Sequence, residues 1–276
     1  MEEFLAKFKE LLEKKNSVLC IGLDPAVPGQ RRDNVIPNRY IDDFKGDRNE
    51  ARLKFCFDIV DQTAKFAIAA KPNEQYLRGF DHDDHKRLTK YIQEHGLLSI
   101  YDCKLGDIGD SAESNLFWMH EWGYDAITVH TQPGNLEQVV NIARSYSPPI
   151  GVIALTLMSN QEAIKYMKES THHEKPVYLC IAEDIRRTGA DGCVVGATGH
   201  VTEEDIKSIR TECGEDKLFL IPGVGAQKGD PEKAIKAGGK NVLINVGRDI
   251  IYSPNPKDRA EYYFKIFGDL MNIYRK

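Results

Sequence analysis

The chain has 276 residues, 41% of them hydrophobic, which is enough for one large core of the kind an α/β barrel builds, or for two small domains. Its 37 basic and 42 acidic residues leave a net charge of -5 with no basic block, which argues against nucleic acid as a partner. No run approaches the roughly 20 apolar residues of a membrane span, so no membrane partner is expected. In chain order, residues 1–15 (MEEFLAKFKELLEKK) alternate apolar and charged residues at helical spacing, unlike a signal peptide. Strand-like apolar runs follow at 17–24, 66–71, 97–104, 125–130, 150–156, 192–196, 217–222 and 241–247. Helical periodicity fills most gaps, as at 85–94, 132–145 and 203–213, while the polar stretch 28–52 reads as an elaborated first βα connection.

Near-continuous apolar strands separated by helices imply a parallel sheet covered on its outside. Eight such units in about 250 residues predict an α/β fold, a (β/α)8 TIM barrel behind an N-terminal helix, with an open doubly wound sheet as the alternative. No repeat, low-complexity tract or linker divides the chain, so a single domain spanning 1–276 is expected. Six scattered cysteines without C-x-x-C pairing read as reduced core residues of a cytoplasmic protein.

In a barrel, function collects where strands end. Asp24, Lys71, Asp102 and Lys104 stand there, with Ser159 shortly after the fifth run. Asp102 and Lys104, two apart on a strand, project to one face, and Asp107 follows on the loop. An ammonium between two carboxylates keeps its proton and acts as a proton donor rather than a Schiff-base nucleophile; the same residue types also build plain ion-pair networks. The glycine-rich PGVGAQKGD at 222–230 can aim backbone N–H groups at an anion, and Gly247 and Arg248 follow the last strand, where barrels often bind phosphate. His82 and His85 show no third metal ligand and read as a solvated helix start, and His172 and His173 as a polar loop; no metal is expected. His130 ends the fourth strand without an assignable proton-transfer role. No G-x-S-x-G elbow or P-loop occurs.

Asp102-Cys-Lys104-Leu-Gly-Asp107-Ile108 is similar to the D-x-K-x-x-D-I signature of the orotidine 5'-phosphate decarboxylases. The resemblance extends through IGLDP at 21–25, AAKPN at 69–73, LMS at 157–159, PGVGAQKGD at 222–230 and NVGRDII at 245–251, nearly the whole chain in order. The long first connection and the K-P-N resemble the longer branch of that family, found in some bacteria and protists. The resemblance implies a cofactor-independent, monofunctional enzyme converting orotidine 5'-phosphate to uridylate (UMP) and carbon dioxide. It implies Lys104, Asp102, Asp107 and Lys71 as catalytic residues. Asp24, Lys71 and Asn73 then match ribose contacts, Ser159 a pyrimidine contact, Gln227, Gly247 and Arg248 the phosphate end of the site, and Pro222 a further substrate-binding position. Ile108 and Ser111 match residues contributed by a neighbouring subunit, which implies a homodimer with shared active sites. Two alternatives stay open: a magnesium-using phosphosugar barrel, such as a 3-keto-gulonate-phosphate decarboxylase or hexulose-phosphate synthase, and a non-catalytic phosphate-binding barrel.

Overall fold

The computed structural model describes residues 3–225 and 229–274. Eight parallel strands close into a barrel: β1 Leu19–Leu23, β2 Ala69–Pro72, β3 Leu98–Leu105, β4 Ala126–Val129, β5 Gly151–Leu157, β6 Gly192–Val195, β7 Leu218–Pro222 and β8 Val242–Val246. Each pairs with its sequence neighbours, and β8 returns to β1 through Leu19↔Ile244, Cys20↔Asn245 and Ile21↔Val246. The open-sheet alternative is thereby overturned. All eight expected runs are strands, with ends displaced by no more than three residues, as is usual where pairing frays.

Inside the barrel, Cys20, Ile68, Leu98, Ile100, Ile153, Leu218, Leu220 and Leu243 form one buried cluster with Phe4, Leu5 and Phe8. Those last three lie on α1 (Glu3–Lys15), whose apolar stripe therefore closes the barrel floor. Gly151 is required there, because a Cβ on it would stand 2.5 Å from the Phe4 ring. A second, larger cluster lies between the strands and the surrounding helices.

The first connection departs from expectation in one respect. A short α2 (Asn38–Asp43) interrupts it, and 48–52 already belong to α3 (Arg48–Thr63). Asp47 starts that helix, its Oδ1 accepting from the N–H groups of Asn49 (3.0 Å) and Glu50 (3.2 Å). After β2 come α4 (Glu74–Leu77) and α5 (His82–Glu94), the latter opened by a capping box between Asp81 and Asp84. His85 is not solvated: it is 3% exposed, stacks on Trp122 at 4.0 Å, and its Nδ1 lies 3.0 Å from the Tyr124 hydroxyl. After α6 (Gly109–Glu121), α7 (Leu136–Ser145) starts four residues later than its periodicity suggests, held off by Pro133 and by Gly134 at φ 74°. The fifth connection holds a π-helix at Ile164–Glu169 and a two-residue ribbon pairing Thr171–His172 with Lys175–Pro176. The outer ring continues with α8 (Val177–Thr188), α9 (Glu203–Cys213), α10 (Pro231–Gly238), α11 (Arg248–Ile251) and α12 (Pro256–Tyr274). Among the described residues, no helix is long and apolar enough to cross a membrane. The six cysteines are all free, four of them buried.

Candidate active site

At the C-terminal rim, β2 and β3 bring three charges together. Lys71 Nζ forms an ion pair with Asp102 Oδ2, and Lys104 Nζ stands 2.8 Å from Asp102 Oδ1. Thr128, at the end of β4, donates to the same Oδ1 at 3.0 Å and accepts the Lys104 N–H at 2.9 Å. That second bond matters because β3 slips register against β4 between Tyr101 and Leu105, and Lys104 takes a left-handed backbone, φ 52°. A lysine in that conformation is uncommon and persists only where neighbours hold it. The result points one ammonium inward and leaves the other exposed: the Lys71 and Lys104 side chains are 8% and 46% accessible.

Burial pushes the Asp102 carboxyl up, but the Lys71 and Lys104 ammoniums outweigh it and hold the group well below the ordinary carboxylate range. Burial likewise pulls Lys71 down, and the carboxylates of Asp102 and Asp24 overcome it, leaving its pKa raised. Within one chain the arrangement is thus a carboxylate between two ammoniums. The expected second carboxylate on Lys104 is absent among the described residues of the same chain. Asp107 sits on an exposed loop, where its Oδ1 accepts from the Ile108 N–H at 3.0 Å and its carbonyl accepts from Asn135 Nδ2 at 2.8 Å.

Lys71, Asp102, Lys104 and Thr128 form the charged end of a 300 Å³ cavity whose opposite wall is apolar, built from Leu155, Leu157, Val194 and Leu220. Ser159 and Pro222 line it too. Gly196 belongs there for a packing reason, since a Cβ on it would lie 2.8 Å from that of Ser159. Charge at one end and an apolar wall at the other suit a flat, polar-edged ring.

Beside this cavity the ends of β1 and β8 nearly touch, a Cβ on Gly22 falling 3.0 Å from Gly247 Cα. Asp24 leaves β1 at that point, its carbonyl accepting from the Tyr252 hydroxyl at 2.7 Å, while that hydroxyl accepts the Ala26 N–H at 2.9 Å. Asn73 caps α4 through Oδ1 on the Gln75 N–H, 3.1 Å, and forms an isolated parallel backbone bridge with Asp102 just beyond the end of β2. Arg248 opens α11 and lines a separate 300 Å³ cavity with Asn34, Asp249, Tyr252 and Arg259. Among the described residues Arg248 has no ion pair. The described ends of the glycine-rich stretch meet this corner: a Cβ on Gly225 would come within 2.8 Å of Val246 and 3.2 Å of Asp249, and the Gly229 N–H donates to the Gly223 carbonyl at 2.8 Å. Gln227 lies outside the described residues.

A model of the family described as Orotidine 5'-phosphate decarboxylase / HUMPS matches residues 17–263. A protein of Azoarcus sp. named orotidine 5'-phosphate decarboxylase is 34% identical over 268 residues, 93% of each chain. One of the same name from Ralstonia pickettii is 35% identical over 261 residues, 90% of this chain and 89% of its own. The chain belongs to this family. Its relatives' activity makes it an enzyme, a carboxy-lyase. The family fold is matched in a Plasmodium berghei orotidine 5'-monophosphate decarboxylase, with a TM-score of 0.79, 23% identity and 99% coverage of both chains. A Methanocaldococcus jannaschii orotidine 5'-monophosphate decarboxylase complexed with inhibitor BMP gives 0.68, with 21% identity and 91% and 98% coverage.

Of the residues singled out from the decarboxylase resemblance, Asp24, Asn73 and Gly247 follow the ends of β1, β2 and β8, Arg248 lines a separate cavity, and Lys71, Asp102, Lys104, Ser159 and Pro222 share one cavity. Asp107, Ile108 and Ser111 are not brought to it. Ile108 is 58% exposed, and Ser111 lies on the outward first turn of α6, because Gly109, φ 57°, turns the chain away from the mouth. His130 lines an adjoining 270 Å³ pocket with Tyr166 and Met167. One residue of the charge cluster escaped sequence reading. Thr128 is inconspicuous because threonine is an ordinary strand former, although its place two residues before His130 was a signal.

Proposed function

We propose that the chain, as a single barrel domain of the cytoplasm, converts orotidine 5'-phosphate to uridylate and carbon dioxide, the last step of de novo UMP synthesis, without a cofactor. The observation that carries this reading is Asp102 held between Lys71 and Lys104 at the charged end of a cavity with an apolar wall. In this reading the pyrimidine lies on that wall near Ser159, with its C6 carboxylate toward Asp102. The C6–carboxylate bond breaks, carbon dioxide leaves, and the bonding electron pair stays on C6. The Lys104 ammonium stabilises that pair and transfers a proton to it; the lysine then regains a proton from solvent.

Asp24, Lys71 and Asn73 take the ribose, Pro222 lines the cavity beside Ser159, and Gln227, Gly247 and Arg248 take the phosphate end. Phosphate binding closes the loop after β7 and supplies energy to the distant reacting carbon. Asp107, Ile108 and Ser111 serve the site of a second copy in a homodimer. Their outward placement and the exposed Phe117 and Trp118 on α6 support that assignment. The deciding experiment follows orotidylate absorbance with the purified chain, with and without a chelator. Consumption that survives chelation supports the proposal. Absence of turnover overturns it, and turnover lost on chelation and restored by magnesium points to the phosphosugar siblings.

A further inference from the structure

The first connection supplies a residue to which the proposed chemistry gives no task. Arg31 NH2 lies 3.4 Å from Asp24 Oδ2 and donates to the Tyr76 hydroxyl, while its Cζ sits 4.0 Å over the centroid of the Tyr76 ring. Arg31 and Asp24 are each only 18% exposed along their side chains. A planar guanidinium can stack and donate at once; a lysine ammonium cannot. Its NH1 is buried without a hydrogen-bond partner among the described residues, so the group is held at some cost.

What Arg31 holds is the carboxylate of Asp24. Tyr252 already pins the backbone there from both sides of the turn, which leaves the side-chain rotamer as the open degree of freedom. Arg31 engages one oxygen, Oδ2, and leaves Oδ1 to accept from a ligand. Its other partner, Tyr76, stands on α4, the helix that Asn73 caps. One guanidinium therefore ties together the two elements that carry Asp24 and Asn73.

We propose that Arg31 is a positioning residue that orients the Asp24 carboxylate toward the hydroxyls of a ribose, and so sets the preference for a ribonucleotide over a nucleotide lacking them. The inference rests on the reading of Asp24 as a ribose contact. A site built to hydrogen-bond a hydroxyl rejects the analogue without it because its own polar group is left unpaired, and that rejection requires the group to be held in place. Freed from Arg31, the carboxylate can turn to water, and the rejection weakens.

The test measures dissociation constants of uridylate and 2',3'-dideoxyuridylate for wild type, Arg31→Met, Arg31→Lys, Asp24→Asn and the Asp24→Asn/Arg31→Met double variant. Arg31→Gln replaces Arg31→Met should the latter fail to fold. Arg31→Met should lower the ribose preference about tenfold, through weaker uridylate binding alone, the size of one lost charge-assisted bond. Arg31→Lys should recover part of it, and Arg31→Met should change nothing further once Asp24 is Asn. Equal weakening of both ligands, or an unchanged preference, in Arg31→Met would overturn the proposal. If the preference responds to Asp24→Asn and not to Arg31, only the positioning role falls. If Asp24→Asn leaves it unchanged, the reading of Asp24 as a ribose contact falls and takes the proposal with it.

Discussion

Lys104 is held by its backbone as much as by its charge. Its N–H is spent on Thr128 Oγ1, and the same hydroxyl donates to Asp102, so one threonine fixes the relative position of an acid and a base on an irregular stretch of strand. In the proposed reaction the Lys104 ammonium acts on charge that develops only as carbon dioxide leaves. Lys104→Ala should therefore cut kcat by about 10³-fold or more while uridylate binding stays measurable, a difference read by single-turnover kinetics beside equilibrium titration. Near-native turnover would remove the lysine from the mechanism. A second titratable residue belongs to stability instead. Burial depresses the His85 pKa to about 4, against a reference near 6.5 when unfolded. The folded form then binds fewer protons than the unfolded form between these values. The resulting contribution is fully present above about pH 6.5 and is lost as pH falls toward 4, about 3 kcal/mol in all. His85→Phe should flatten the fall in denaturation midpoint over that window. An unchanged pH slope would mean that His85 does not stay neutral in the folded protein.

At the scale of elements, the eight strands were legible because a parallel barrel buries both strand faces and so writes each strand as an unbroken apolar run. Helix starts were less legible, since they depend on local caps: Asp47 and Asp81 pull helices earlier than apolar periodicity does, and Gly134 pushes one later. The Asp102 and Lys104 pair could be read from spacing, whereas its attachment to Thr128 could not, because the register slip in β3 is a three-dimensional event. The position of α1 was equally invisible, as periodicity announces an amphipathic helix without naming what it covers. Its docking under the barrel predicts that Gly151→Ala, with a Cβ 2.5 Å from the Phe4 ring, destabilises by about 2 kcal/mol, measured by urea unfolding. Shortening the ring in the same variant, Phe4→Leu, should return part of the loss; no loss at all would show that α1 is not seated on β5. At the opposite end, α11 presents Arg248 without an ion-pair partner among the described residues, beside the glycines of the loop base. Arg248→Ala should weaken uridylate binding by about 2 kcal/mol, some thirtyfold, and leave uridine binding unaltered. Equal effects on the two ligands would separate Arg248 from the phosphate.

For the whole molecule, the decisive asymmetry is between Lys104, which turns its ammonium to Asp102 at the cavity, and Asp107, only three residues on, which turns away from it. In one chain Asp102 faces two ammoniums, and the exposed Asp107, Ile108, Phe117 and Trp118 share the loop and helix that follow β3. If that face meets its copy across a two-fold axis, each Asp107 can approach the other chain's Lys104, which restores the balance of two carboxylates to two ammoniums at each site. Lys104→Ala and Asp107→Ala homodimers should then each be severely impaired. Unfolding and refolding an equal mixture with random exchange makes about half the dimers mixed, each with one doubly altered site and one site carrying both native residues, so about a quarter of all sites should regain activity. The measurement is orotidylate consumption by the refolded mixture against each parent treated alone, with mixed dimers verified by separable tags. Recovery near that fraction places the two residues on different chains. Verified mixed dimers with no gain would assign Lys104 and Asp107 to the same chain's site, and the outward course of the loop after β3 would then need another purpose.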